Sequence, residues 1–450
     1  MDSVDLDYRA RTRSGCIPPE LVSRLLHHGH AAVVEEWAGR GEWFCALAWA
    51  RLLGEWGRQA DALEVLAPYT ATGWWTAVVA TAELLEGWGR SEESIETVRA
   101  RMAVGHLMAL EAYTRLLARH GRAAEAFTML LPHADDWVLA TALVDVAAVA
   151  GRDEEAAALL AARIGPDHRC DGPWCCGLDP DTAIGLLATI RERQGHIDEA
   201  IALLRHRQIT SVNSRDQLAD LLARHGRIEE LRAYAATDGH EEAVQRLAEL
   251  LEECADVEGA IAAYGQTDGP AAWNPNSAYE LAQLLARHDR GDEAIAVMRA
   301  QADAHRRDDW ILHALSQLCL DQGRPSDGLA HLDALATQGG GEAEWELFWM
   351  RLPLIAACSG VDEAVERARA HPEGTTWYAA EHIARLLTDA GRTEEAVTVL
   401  QQHDPRNSHD LAGYLIDLGR IDEALAVLQQ PRPQTPAIPT THLWSEDPPF

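Results

Sequence analysis

Residues 380–400 read AEHIARLLTDAGRTEEAVTVL, and this stretch decides the fold. Ala380, Ile383, Ala384 and Leu387 stand at i, i+3, i+4 and i+7, which places them on one face of a helix. Gly391 ends that helix, because glycine takes the left-handed conformation without steric cost. Thr393 is placed to cap a second helix. Glu394 and Glu395 fall in its first turn, where negative charge meets the positive end of the helix dipole. Ala396, Val397 and Leu400 give that helix its apolar side. The stretch predicts two helices joined by a tight turn.

The same phrase recurs along the chain. It reads LLGEWGRQADA at 52–62, LLARHGRAAEA at 116–126, LLARHGRIEEL at 221–231 and YLIDLGRIDEA at 414–424. The turn position falls at Gly57, Gly89, Gly121, Gly151, Gly195, Gly226, Ala255, Asp289, Gly323, Ser359, Gly391 and Gly419. Neighbouring turns lie 28 to 36 residues apart, except for one spacing of 44. This makes about twelve units, near the 34-residue period of helix–turn–helix repeats.

Columns align across the units. Leucine pairs such as Leu52-Leu53, Leu221-Leu222 and Leu386-Leu387 stand five and four residues before the turn. Alanine stands seven before it at Ala50, Ala82, Ala188, Ala219, Ala248, Ala282, Ala384 and Ala412. It stands five after it at Ala62, Ala126, Ala156, Ala200, Ala260, Ala294, Ala396 and Ala424. Small side chains at two fixed places let paired helices approach closely, and leucines fill the space between units.

From about Glu42 to Gln430 these columns resemble the tetratricopeptide repeat, in a divergent form similar to those of high-GC, actinomycete-like bacteria. The aromatic columns of that family are mostly leucine here, and its closing proline is largely missing. Tryptophan opens several first helices instead, at Trp43, Trp75, Trp137 and Trp377. The resemblance implies an all-α solenoid of about twelve repeats wound into a superhelix, with about 25 helices and essentially no sheet.

Composition agrees with a helical repeat and narrows the function. The chain has 450 residues, more than one compact core usually holds. Its formal net charge is −32, which argues against a nucleic-acid surface. Much of that charge belongs to the repeat itself. Of the 71 acidic residues, 20 lie just after the turns, and without them the balance would be −12. A basic partner does not follow from the charge. All 39 basic residues are Arg. Codon usage in a high-GC genome explains this best, and escape from lysine-directed modification is the other reading. No apolar run is long enough to cross a membrane, and the first 20 residues carry no apolar signal core. The eight Cys form no regular framework, so a reducing cytoplasm is expected.

The organisation expected is an N-terminal segment at 1–41, with a capping helix over 20–38, followed by repeats over 42–164. A Cys-containing insertion occupies 165–181, repeats resume over 182–430, and a Pro-rich disordered tail closes the chain at 431–450. His27, His28 and His30 near the capping helix suit a solvated helix end better than a metal site. The insertion reads GPDHRCDGPWCCGLDPD and holds His168, Cys170, Cys175 and Cys176. Thiolates with an imidazole suit zinc or copper(I). The spacing fits no standard zinc motif, so a metal site, a redox pair and unliganded loop thiols stay open, the last favoured. Cys45, Cys254, Cys319 and Cys358 are expected to be small packing residues within helices.

The family resemblance implies that the first helix of each unit lines a concave face that binds a peptide or protein segment. Its exposed positions, six residues before the turn, include Arg51, Glu83, Arg115, Asp145, Asp220, Glu249, Gln283 and Arg385. The leading expectation is a protein-interaction scaffold or adaptor with no cofactor. A peptide-responsive regulator acting through a partner is the alternative. An enzyme is not expected, because no phosphate loop, nucleophile elbow or HExxH motif is present.

Overall fold

The computed structural model describes residues 2–13, 16–102, 107–164, 177–207, 211–212, 215–237, 241–265, 274–306, 308–338, 344–403 and 408–429. Among them are 28 α-helices, one short 3₁₀ turn and a single antiparallel ladder of two two-residue strands, Ser211–Val212 and Arg215–Asp216. The fold is an all-α solenoid of helix–turn–helix repeats. The expected tail at 431–450 and the four insertion residues His168, Cys170, Cys175 and Cys176 lie outside the described residues.

The turns are set by backbone conformation. Nine of the predicted positions are glycines with φ between 62° and 83°. Ala255 and Asp289 take the same left-handed conformation, at φ 62° and 59°, although they carry a β-carbon. Ser359 does not fit. It is the last residue of helix Leu352–Ser359, and the positive φ falls one residue on, at Gly360. Only glycine avoids the β-carbon clash in that geometry, so the turn moves to it. Thr393 is also reassigned. It is the first residue of helix Thr393–Gln401, and Arg392 occupies the N-cap without a side-chain cap.

Both alanine columns are interior. Every alanine of the column after the turn is 0% exposed, and those before the turn are all buried. Ser94 takes that place in one unit, and its hydroxyl donates to the Ala82 carbonyl at 2.7 Å. Within a unit the two helices pack on each other, and the second packs on the first helix of the next unit. Gly291–Ala304 does so against Pro275–Arg287 and Asp309–Asp321.

The chain divides into two compact units, 75–322 and 1–74 with 323–450. In the first, one continuous apolar core runs from Ala82 to Ile190. The end of the insertion belongs to this unit. Leu178 is buried, Asp179 caps helix Pro180–Arg193, and Pro180 supplies its first residue. In the second unit, the capping helix expected over 20–38 is two helices, Pro19–His27 and Ala31–Gly39, broken at Gly29 with φ 81°. A further helix, Ser3–Thr12, precedes them. Pro19–His27 packs on Ser408–Asp417, the first helix of the last repeat. Arg24 and His28 reach Asp417 at 3.3 and 3.2 Å.

The thiols divide. Cys45 and Cys319 are buried packing residues, as expected. Cys254 and Cys358 are exposed. Cys254 follows the end of helix Glu241–Glu253 rather than lying inside it. The Trp column divides too: Trp43 is 5% exposed, whereas Trp137 is 65% exposed.

Candidate functional site

The eight positions six residues before the turn all lie on first helices, and none is buried. Periodicity puts them there, because the leucine pair and the small residue beside them fill the opposite face. Arg51 and Arg385 belong to the unit formed by 1–74 and 323–450, and the other six to 75–322.

Some of the six are brought together. Glu83 and Arg115 line one cleft of about 260 Å³ between helices Trp75–Gly87 and Leu107–Arg119. Its floor is apolar, made by Trp75, Val79, Ala82, Met108, Ala112 and Leu116, and its rim carries Glu86, Glu111 and Arg119. Arg115 bonds to Glu111 at 3.1 Å and reaches into the next unit to pair with Asp145. Asp220 and Glu249 line a second, more polar cleft of about 420 Å³ between Gln217–Arg224 and Glu241–Glu253. Arg246 joins them, at 3.6 Å from Asp220 and 3.0 Å from Glu249. A third cleft, of about 290 Å³, follows between Glu241–Glu253 and Pro275–Arg287 and is lined by Glu241, Glu242, Gln245, Tyr279 and Glu280. Gln283 lines none of these clefts. Arg385 is paired within its own helix to Glu381 at 2.9 Å.

A second pattern escaped the column reading. Arg119 binds Glu86 of the preceding unit with two hydrogen bonds of 2.8 and 2.9 Å, and His120 meets the same carboxylate at 3.0 Å. Arg224 and His225 hold Glu192 in the same way, as Arg287 and His288 hold Glu252. The signal in the sequence is ARH directly before a turn residue, at 118–120, 223–225 and 286–288. The Arg119 hydrogen bonds hold the Glu86 carboxyl below its usual range. Those of Arg287 do the same for Glu252. At Glu192 burial pulls upward, but Arg224 and His225 outweigh it.

The acids after the turns have partners as well. The Arg that follows the turn residue binds the acid three residues on, as in Arg90–Glu93, Arg290–Glu293 and Arg392–Glu395. It also reaches back to the preceding unit, at 3.0 Å for Arg290–Glu258 and 2.6 Å for Arg392–Asp362. The repeated acids therefore serve as one side of an arginine ladder in addition to meeting the helix dipole.

Among the described residues no group of three His, Cys, Asp or Glu side chains is placed to hold a metal ion. No helix among them is long and apolar enough to cross a membrane.

No family model matches the chain, and no curated protein matches it. Among solved structures it is similar to a chain in a structure of Naa15/Naa10 bound to HypK-THB. The identity is 13% and the TM-score 0.43, covering 95% of this chain and 67% of that one. It is also similar to a tetratricopeptide repeat protein from Parabacteroides merdae, at 14% identity and a TM-score of 0.27, covering 65% of this chain and 99% of that one. The fold assignment rests on the helices, turns and columns described above.

Proposed function

We propose that this protein is a scaffold or adaptor that binds a peptide or protein segment along the first-helix faces of its repeats, in a bacterial cytoplasm. One observation carries the reading. Three pairs of successive first helices in 75–322 leave open clefts between them, and four of the predicted positions, Glu83, Arg115, Asp220 and Glu249, line two of those clefts. Grooves between neighbouring first helices suit an extended or helical chain, which can engage adjacent grooves at once. In this reading the protein carries out no chemical step of its own and needs no cofactor. The exposed thiols of Cys254 and Cys358 suit a reducing compartment.

The test is selection of a random twelve-residue peptide library on the purified full chain. Enriched peptides should lose binding to a Glu83→Arg, Asp220→Arg, Glu249→Arg variant and keep it in a Glu96→Arg control on a second helix. Absence of any enrichment, or equal loss in both variants, would overturn the reading.

A further inference from the structure

The cleft between Trp75–Gly87 and Leu107–Arg119 differs from its neighbours in its apolar floor. Trp75, Val79 and Glu83 stand at i, i+4 and i+8 on one helix, so they form a single line along its face. Met108, Ala112, Arg115 and Arg119 form the matching line on the other. Both lines are apolar toward the helix starts and charged toward the helix ends. The apolar end is open to solvent. Met108 is 47% exposed and the adjacent Leu107 50%. An exposed apolar residue by itself is ordinary, but here the exposed pair adjoins a concave apolar floor.

The charged end is closed except at one point. Arg115 is held by Glu111 and Asp145, and Arg119 by both oxygens of Glu86. Glu83 lines the same rim and makes no hydrogen bond or ion pair among the described residues. Arg119 feels its charge without contacting it. An anion brought here would face Glu83, Glu86 and Glu111, with both arginines already engaged. A cation would meet a carboxylate free to receive it.

Size narrows the class of occupant. The cleft is about 260 Å³, below the roughly 300–1,000 Å³ usual for a site that encloses a whole small molecule. It suits a side chain delivered by a larger partner, in the manner of an anchor residue ringed by polar contacts. Val79 and Glu83 are one helical turn apart, about 6 Å along the axis. A partner helix presents an apolar residue and a basic residue at that separation when they are spaced i, i+4.

Resting on the scaffold reading, we propose that this cleft takes an amphipathic segment of a partner protein. It seats one apolar side chain on Trp75, Val79 and Met108 and sets a Lys or Arg beside Glu83.

The same random peptide library provides the probe, selected on the full chain and then measured by fluorescence anisotropy against single variants. Enriched peptides should pair an apolar residue with Lys or Arg three or four positions away. Met108→Glu should weaken them at least tenfold. Glu83→Gln should weaken the Lys- or Arg-bearing peptides several-fold and leave versions with that residue changed to Gln unaffected. Circular dichroism of each variant separates loss of binding from loss of fold. Peptides that bind Met108→Glu as tightly as the native chain but fail on Asp220→Arg, Glu249→Arg would overturn this site and leave the scaffold reading standing. Enrichment of acidic peptides at this cleft, or indifference to Glu83→Gln, would overturn the assigned chemistry. No enrichment at all would overturn both.

Discussion

Replacing Glu42 by Gln should stabilise the unit formed by 1–74 and 323–450 at neutral and higher pH. Glu42 precedes helix Trp43–Glu55, is 5% exposed, and its Oε2 is buried without a hydrogen-bond partner. Burial raises its carboxyl from 4.5 to about 7, and the Arg9 charge and the Ile17 and Phe44 backbone N–H groups oppose that rise only in part. In the unfolded chain the same group titrates near its ordinary value. The folded value is the higher of the two, so the native state holds the proton more tightly. The associated stability is full below about pH 4.5 and is lost as pH rises toward 7. At about 1.4 kcal/mol per pH unit, the cost of ionising Glu42 in place is roughly 3 kcal/mol. Gln keeps the shape of the protonated acid and has no charge to desolvate. The E42Q chain should match the native chain at pH 4.5 and exceed it by about 2–3 kcal/mol at pH 8. The assay is hydrogen exchange of the 43–55 amides at pH 4.5, 6, 7 and 8, corrected for intrinsic exchange. This local readout avoids assuming that a chain of two compact units unfolds in one step. A variant whose advantage does not grow with pH, or that is less stable at pH 8, would refute the reasoning.

Further tests address the repeat. Ala282 is 0% exposed between paired helices, so Ala282→Leu should overpack that contact and cost about 1–3 kcal/mol, while Ala286→Leu on the more open side should be nearly neutral; urea unfolding compares them. Ala255 holds a left-handed backbone at φ 62°, so Ala255→Gly should relieve its strain and, after the extra flexibility glycine gives the unfolded chain, stabilise by about 0.5–1 kcal/mol; an unchanged or lower melting temperature would count against this. Glu86, Glu192 and Glu252 are held below their usual carboxyl range, so their stabilisation is present above about pH 4.5 and is lost as pH falls through the lower folded values. Changing all three to Gln should cost about 0.5–1 kcal/mol each at pH 7 and flatten the acid limb of the stability profile, as read by denaturation at pH 7, 5, 4 and 3.

The sequence by itself determined the solenoid, its turns and the two buried alanine columns. Those features are local: a 3.6-residue period marks the buried face of each helix, and a residue with left-handed backbone marks each turn. Even Ala255 and Asp289 were legible as turns, because the spacing of the columns around them does not change. Ser359 was misplaced because this unit is one residue out of step, with Ala364 four rather than five residues after the left-handed Gly360. The break at Gly29 was hidden because the short helices beside it lack the column phrase.

Tertiary structure alone decided what happens between units. Trp43 and Trp137 hold the same place in their repeats, yet one is buried and the other open, because different neighbours pack against them. Glu42 looks like any surface acid until Arg9, Cys16, Cys45 and Tyr69 close around it. The acids after the turns read as helix-start chemistry, and only the approach of the next unit shows that Glu258 and Asp362 meet Arg290 and Arg392. The candidate face was legible as a set of positions, but not as clefts. Which of its charges satisfy one another depends on distances between helices some thirty residues apart in sequence, and periodicity within one helix carries no information about those distances.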